Sequence, residues 1–264
     1  MEGIFKGMQK QVNKVVQMAG EATGQAEKTE LDQESVDMFN KVDTTKMLCD
    51  KIIAQVEVVL QCNIGAKVSG MFSSFVMKDE NATKTNMEIL GQVLSKAGTD
   101  VGADSSYGAS LTKCGDSEQK IGALEATFKQ EMAERFLKPF QQFLAEEYPN
   151  IMKERKVLDG KRLELDACRA TLKKSTQEVD KKEADEALRK AQMEYDGQFE
   201  TTKILLQGLK KTHETQEAAI NALVEIQMNY HSESMQCLNK LSGDLKSGSS
   251  QTSRGYKSQE LDFQ

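Results

Sequence analysis

The apolar positions of the first twenty residues, MEGIFKGMQKQVNKVVQMAG, fall on one side of a helix. At about 100° per residue, Ile4, Phe5, Met8, Val12, Val15, Val16, Met18 and Ala19 gather within roughly 160° of the wheel. Lys6, Lys10 and Lys14 recur every four residues along a separate line, and the only acid is Glu2. Such a helix can bury its apolar arc at the boundary between headgroups and acyl chains, with lysines beside anionic phosphates. An ordinary core helix is the plain alternative. A transit peptide fits less well, because the segment has neither Arg nor Ser.

Further on, the pattern predicts long helices. From about Leu31 to Leu60, the apolar or small residues Met38, Val42, Thr45, Cys49, Ile52, Val56 and Val59 alternate by four and three, the spacing of a coiled-coil seam. Val68, Met71, Phe72, Phe75 and Val76 predict a short amphipathic helix. After it, Gly91, Gly98, Gly102, Gly108 and Gly115 are expected to break regular structure repeatedly. A third long helix is predicted from about Ser117 to Lys174, kinked where Pro139 and Pro149 each remove a backbone donor. Ser175 to Asp185 reads as a turn between antiparallel helices. The fourth helix runs from about Glu186 to Leu245, and Leu206, Leu209, His213, Gln216, Ile220, Leu223, Gln227, Tyr230, Ser234, Cys237 and Leu241 keep the three-four spacing. At 1.5 Å per residue that is on the order of 90 Å, which needs neighbours along its length. The tail after Leu245 is expected to be disordered.

Composition agrees with this picture. Two prolines, no Trp, 6% aromatic and 29% charged residues suit long helices better than a sheet-containing domain. No apolar run approaches the roughly eighteen residues that span a bilayer. The five cysteines are scattered and odd in number, never in a CxxC spacing, so neither a disulfide framework nor a zinc site is expected. The net charge of −6 argues against nucleic-acid binding. The two histidines, His213 and His231, have no Asp or Cys placed to complete a catalytic or metal set, so no enzyme and no cofactor is expected. His213, on the seam beside Gln216, reads as a polar layer that fixes register.

Positive charge is concentrated locally. Residues 153–174 carry eight basic and four acidic side chains. Arg155, Arg162 and Arg169 are spaced by seven, with Lys173 four further on, and together they form a ridge. Two readings stay open: contact with anionic headgroups, or a solvated face of intrahelical pairs with Asp159 and Asp166. The Met71–Val76 helix is likewise either a second lipid wedge or a packing element.

Four stretches carry a family resemblance: GQAEKTELD (24–32), AGTDVGADSSYGASLTKCG (97–115), KERKVLDGKRLELDACRATLKK (153–174) and EYDGQFETTKILLQG (194–208). Across about residues 1–245 the chain resembles the endophilins, most of all the endophilin B branch, within the N-BAR class. The resemblance implies an all-α fold, an elongated antiparallel three-helix coiled-coil (BAR) bundle forming a crescent-shaped homodimer. It implies an N-terminal amphipathic helix over 1–22, a BAR domain over 23–245 with an insert at about 63–85, and a tail over 246–264. Ile4, Phe5, Met8 and Val12 match the family's N-terminal wedge, Met71, Phe72 and Phe75 its insert, and Lys173, Lys174, Lys181 and Lys182 its basic arm tip. The sequence has no SH3 domain of the kind endophilins carry, so SH3-type proline-rich partners are not expected for it.

The expected function is that of a cytoplasmic protein, peripheral on intracellular or plasma membranes, which senses or generates curvature in vesicle trafficking. Its partners would be anionic phospholipid membranes and a second copy of itself, with heterodimers of related BAR proteins as a further form. The other reading is a BAR-like dimeric scaffold for small GTPases or other proteins, but a pure scaffold has no use for an apolar arc flanked by lysines.

Overall fold

The computed structural model describes residues 2–60, 84–102 and 104–259. Every regular element among them is helical: α1 (Glu2–Ala22), α2 (Gln33–Leu60), α3 (Asn86–Val101), α4 (Ser106–Glu131), a π-helical turn (Met132–Leu137), α5 (Lys138–Gln142), a second π turn (Phe143–Glu147), α6 (Tyr148–Lys174), α7 (Glu178–Gln207) and α8 (Leu209–Gln259). The chain packs as two units, one of Met1–Ile53 with Phe140–Thr215, the other of Ala54–Pro139 with Gln216–Gln264.

In the first unit, α2, α6 and α7 form an antiparallel bundle. Ion pairs mark its register: Arg155 to Asp43 at 3.0 Å, Lys161 to Glu194 at 2.5 Å and Lys203 to Glu34 at 3.1 Å. Leu158, Leu165, Ala191 and Tyr195 make the buried contact between α6 and α7, and Leu31, Cys168, Leu188 and Phe199 pack around them. Fully burying each large apolar side chain stabilises by roughly 1.5–3 kcal/mol. On α2 the predicted seam is buried at Val42, Thr45 and Cys49. His213 accompanies it as a polar layer, its Nε2 lying 2.8 Å from Thr45 Oγ1. Within α8 the buried line is Leu209, Thr212 and Gln216, not His213. An α-helix advances about 100° per residue, so the three-four seam expected from sequence slips by one position.

The second unit corrects the expectation for the glycine-rich stretch. It is not broken repeatedly. It forms α3 and α4 as a tight hairpin, with a single turn at Gly102, whose φ of 103° suits only glycine. Thr85 opens α3 with a capping box: its Oγ1 accepts from the Glu88 amide at 3.2 Å and its own amide donates to Glu88 Oε2 at 2.7 Å. Ser105 caps α4, accepting from the Gly108 amide at 2.9 Å. The other glycines lie where the two backbones touch. A Cβ on Gly98 would stand 2.7 Å from the Gly108 carbonyl oxygen, and one on Gly115 would stand 2.6 Å from that of Gly91. Small residues are required here by close approach, and they leave the helices intact. α8 runs antiparallel to α4, with the Phe128 and Tyr230 ring centroids 5.1 Å apart and Arg135 paired to Glu225 at 2.7 Å.

The two prolines share one local form. Each proline follows a π turn, Met132–Leu137 before Pro139 and Phe143–Glu147 before Pro149. A proline ring collides with the carbonyl four residues back, here that of Arg135 or Ala145, and widening that turn relieves the collision. The Lys138 amide donates to the Ala133 carbonyl and the Tyr148 amide to that of Phe143, both five residues back.

Two further boundaries differ from those expected. α7 begins at Glu178, so the turn after α6 is far shorter than 175–185. α8 continues to Gln259, past Leu245 where disorder was expected. Extending a formed helix needs no new nucleus, and no proline stops it.

The hairpin yields a prediction. Gly98→Val should destabilise the protein by about 1–3 kcal/mol, the range for overpacking a close-packed site. At Gly243 a Cβ would meet nothing within 4 Å, so its replacement by Ala should add roughly 0.5–1 kcal/mol of stability. Urea unfolding midpoints of the two variants, taken beside the parent, should move in opposite directions.

Candidate functional site

The candidate site is the surface formed by α1 and the α6–α7 arm. α1 does not float free of the body. Its polar face rests on α6: Lys14 pairs with Glu164 at 3.2 Å, and Glu21 pairs with Arg162 at 2.9 Å. Gln17, only 5% exposed, donates to Glu21 Oε1 and, at 2.8 Å, to the Glu27 carbonyl. The opposite face carries the apolar arc, and it is open: Met8 is 62% exposed, Val12 53% and Val15 65%, with Val16 and Met18 similar. Met8 and Val12 therefore stand on the open face. Lys14 stands on the docked one, held by a protein carboxylate. Ile4, Phe5, Lys6 and Lys10 belong to α1, but their side chains lie outside the described residues.

The linker after α1 explains how this arrangement is held. Gly24 has a φ of 70°, which turns the chain back on itself. Ala26 then packs so closely on the end of α1 that a Cβ on Gly20 would lie 2.8 Å from its own. Thr29 donates from its amide to Asp166 Oδ2 at 3.0 Å and from its hydroxyl to Asp166 Oδ1. Leu31 joins the α6–α7 core.

Arg162 lies at the centre of this set and is itself buried, 7% exposed. Its guanidinium meets Glu21, Asp159 at 3.0 Å and Asp166 at 3.1 Å. The expectation that Arg162 contacts lipid is corrected by this burial: the residue is enclosed by protein carboxylates. Its neighbours in the ridge are also engaged. Arg155 pairs with Asp43 and lies 4.6 Å from the Phe39 ring centroid. Arg169 donates to Thr29 Oγ1 at 2.5 Å and to Gln192 Oε1 at 3.0 Å. Of the two readings, pairing with Asp159 and Asp166 is present, but as part of a tertiary network and not a merely solvated face. Sequence reasoning missed Gln17, Glu21 and Thr29. A signal existed, since Gln17 and Glu21 share the line of Lys6, Lys10 and Lys14 on the wheel, yet nothing local marks that line as a docking face.

At the α6–α7 turn the basic character is on the surface. Lys173 reaches Glu27 at 2.6 Å across an exposed contact, and Lys174, Lys181 and Lys182 are exposed. Val179 stands among them, also exposed. Met71, Phe72 and Phe75 fall outside the described residues. Among the described residues no group of His, Cys, Asp or Glu gathers as for a metal ion, and no helix is long and apolar enough to cross a membrane.

Comparison with known proteins places the chain in a family. The BAR domain family profile matches residues 8–247. The chain belongs to the BAR domain family. It is 37% identical to rat (Rattus norvegicus) Endophilin-B1 over 236 residues, covering 89% of this chain and 65% of that protein. Human (Homo sapiens) Endophilin-B1 is 36% identical with the same coverage, and chicken (Gallus gallus) Endophilin-B2 is 33% identical, covering 88% of this chain and 65% of that protein. The chain thus spans about two-thirds of the length of these curated relatives, 65% in each case. Among solved structures, the N-terminal I-BAR domain (1-259) of D. discoideum IBARa aligns with a TM-score of 0.45 at 12% identity, covering 88% of this chain and 100% of that one.

The network carries a pH dependence. The hydrogen bond from Arg162 holds the Glu21 carboxyl below its ordinary value, and Lys161 does the same for Glu194. A carboxyl with a depressed folded-state pKa contributes stability that is complete above its ordinary value, about 4.3, and is lost as pH falls through the folded value. The thermal midpoint should therefore stay level from pH 7 to about 5 and fall below about 4. Glu21→Gln should cost about 1.5–3 kcal/mol at pH 7, the range for a hydrogen bond to a charged group. Its deficit relative to the parent should shrink progressively as pH falls below about 4, as followed by circular dichroism melts.

Proposed function

We propose that this protein is a peripheral membrane-binding dimer that senses or generates membrane curvature in vesicle trafficking, with α1 as its wedge. The observation that carries this reading is the orientation of α1: polar face docked on α6, apolar arc facing out. An isolated soluble chain gains nothing by displaying Met8, Val12, Val15, Val16 and Met18 to water. At a bilayer these side chains replace headgroup volume in one leaflet, each worth up to roughly 1.5–3 kcal/mol if fully buried. Lys173, Lys174, Lys181 and Lys182 add electrostatic attraction, about 1 kcal/mol for each basic side chain near an anionic surface. Family membership and the likeness to Endophilin-B1 and Endophilin-B2 support the same reading.

A second copy accounts for the apolar surface of the other unit. α3 turns its glycines toward α4 and leaves Ile89, Leu90 and Val93 exposed, and α8 leaves Ile220, Val224 and Met228 exposed. Isologous pairing would cover these side chains and double the number of wedges and basic tips on one particle, so binding becomes multivalent. The scaffold alternative is not favoured, because it leaves the exposed arc of α1 without a purpose.

Two outcomes are expected. Val12→Glu combined with Val16→Glu should lower sedimentation with phosphatidylserine-containing vesicles at least tenfold and abolish tubulation, with the melting temperature unchanged. A fall of several degrees with binding preserved would assign α1 to the core instead. Light scattering in dilute solution should give twice the chain mass, and a stable monomer would remove the multivalent part of the mechanism.

A further inference from the structure

The first unit carries a groove between the start of α2 and the side of α6, about 660 Å³ in volume. Phe39, Leu158 and Tyr195 form its apolar floor, and all three are buried. Lys28, Glu30 and Lys156 stand exposed at its rim, and α1 contributes no side chain to it. We propose that this groove is a docking site for a short acidic peptide segment of a partner protein. One apolar side chain of that segment sits on the floor, and its carboxylates meet Lys28 and Lys156. The site adds protein binding to the membrane-binding reading and does not depend on it.

Two independent observations point to a ligand. The first is the phenol of Tyr195. The side chain is only 7% exposed, and its ring is held against that of Phe199, with centroids 6.2 Å apart. A buried tyrosine hydroxyl ordinarily finds a hydrogen-bond partner. Among the described residues none reaches this one, and its oxygen is not sealed off from the surface. A ring fixed in the core thus holds a free donor at the floor of the groove. The second observation is charge. Arg155 and Arg162 also line the groove, but they are committed, the one to Asp43 and the other to Asp159 and Asp166. Lys28 and Lys156 have no ion pair among the described residues. Two unpaired cations above an apolar floor complement a segment that is both acidic and apolar.

Shape and charge order favour a peptide over a lipid headgroup. Along α6 the lining runs from Met152 to Arg162, about 15 Å at the helical rise. That is the span of four or five extended residues. In an extended segment alternate side chains point to opposite sides, so one can enter the floor while its neighbours reach the rim. The acids Glu30 and Asp159 stand among the cations of the lining. A compact polyphosphate would be repelled by them, whereas a peptide can offer its backbone N–H groups to the acids and its carboxylates to the lysines. An aromatic floor with a tyrosine donor is also the composition that concentrates binding energy at protein interfaces.

The test is fluorescence anisotropy of the full chain with a fluorescein-labelled peptide, Asp-Glu-Leu-Asp-Glu-Phe, beside a Lys-Lys-Leu-Lys-Lys-Phe control. The acidic peptide should bind saturably and the basic one should not. Lys28→Glu combined with Lys156→Glu should weaken binding at least tenfold. Tyr195→Phe, which keeps the packed ring and removes only the hydroxyl, should weaken it at least fivefold with the parent's helix content. Arg189→Glu combined with Lys190→Glu makes the same charge change on exposed residues of α7 outside the groove, and should stay within twofold. In methionine methyl spectra the acidic peptide should shift the Met152 signal, identified by its loss in Met152→Leu. Absence of saturable binding, an unchanged affinity in Tyr195→Phe, or equal losses in the two double variants would overturn the proposal. Displacement of the peptide by inositol hexakisphosphate, with the same Met152 shift, would assign the groove to an anionic headgroup instead. Vesicle sedimentation of Tyr195→Phe should match the parent within twofold, so loss of the peptide site and loss of the wedge reading are read separately.

Discussion

A guanidinium taken out of water must be matched by carboxylates, and in the first unit that requirement organises everything around α6. An uncompensated buried charge costs several kcal/mol. Asp159 and Asp166 meet part of the demand from the same helix, and the rest is met only if α1 brings Glu21 to the same place. Asp166 in turn has hydrogen-bonding capacity to spare and spends it on Thr29 and Arg169. From one buried cation the chain obtains a docked helix, a folded linker and a defined entry into α2. Such networks add little net stability compared with an apolar core of equal volume. What this one adds is specificity of placement.

Rods of helix pose the opposite problem, since nothing in a plain heptad pattern makes them depart from regular geometry or approach closely. Two devices supply those features. Proline at 139 and 149 forces the turn before it to widen, and the resulting π turns carry Met132, Phe136, Leu137 and Phe143, all buried. Glycine at 91, 98, 108 and 115 lets two helical backbones come within van der Waals contact, which no larger residue allows. In the first device a missing donor deforms a helix; in the second a missing side chain lets a hairpin close.

Both units leave large apolar side chains in water, in different places and with different physical meaning. On α1 the exposed arc is continuous along one face of a helix whose other face is occupied, a shape suited to a planar apolar medium. On α3 and α8 the exposed residues accompany helices whose inner faces are already packed, which suits another protein surface of the same kind. Electrostatics sharpen the distinction. Exposed lysines cluster at the α6–α7 turn, Lys174, Lys181 and Lys182 among them. Ile89, Leu90 and Val93 have only Lys96 as a basic neighbour on their helix.

Much was legible in the sequence. Three-four periodicity, the scarcity of proline and the absence of alternating strand patterns determine an all-helical chain, because side-chain period follows directly from backbone geometry. The apolar arc of α1 was legible for the same reason, as was a local disturbance of the helix at Pro139 and Pro149. Three things were decided only by tertiary structure. Glycine at 91–115 reads as a breaker in one dimension, but as a contact point once a second helix lies against it. A basic ridge at Arg155, Arg162 and Arg169 leaves lipid contact and intrahelical pairing both open until Glu21, a residue 141 positions away from Arg162, closes over its middle. The lysine line of α1 reads as a headgroup contact until Glu164 claims Lys14. Charge on a helix face is a statement about one element, whereas what that charge faces depends on contacts between residues far apart in the chain, and local pattern carries no record of them.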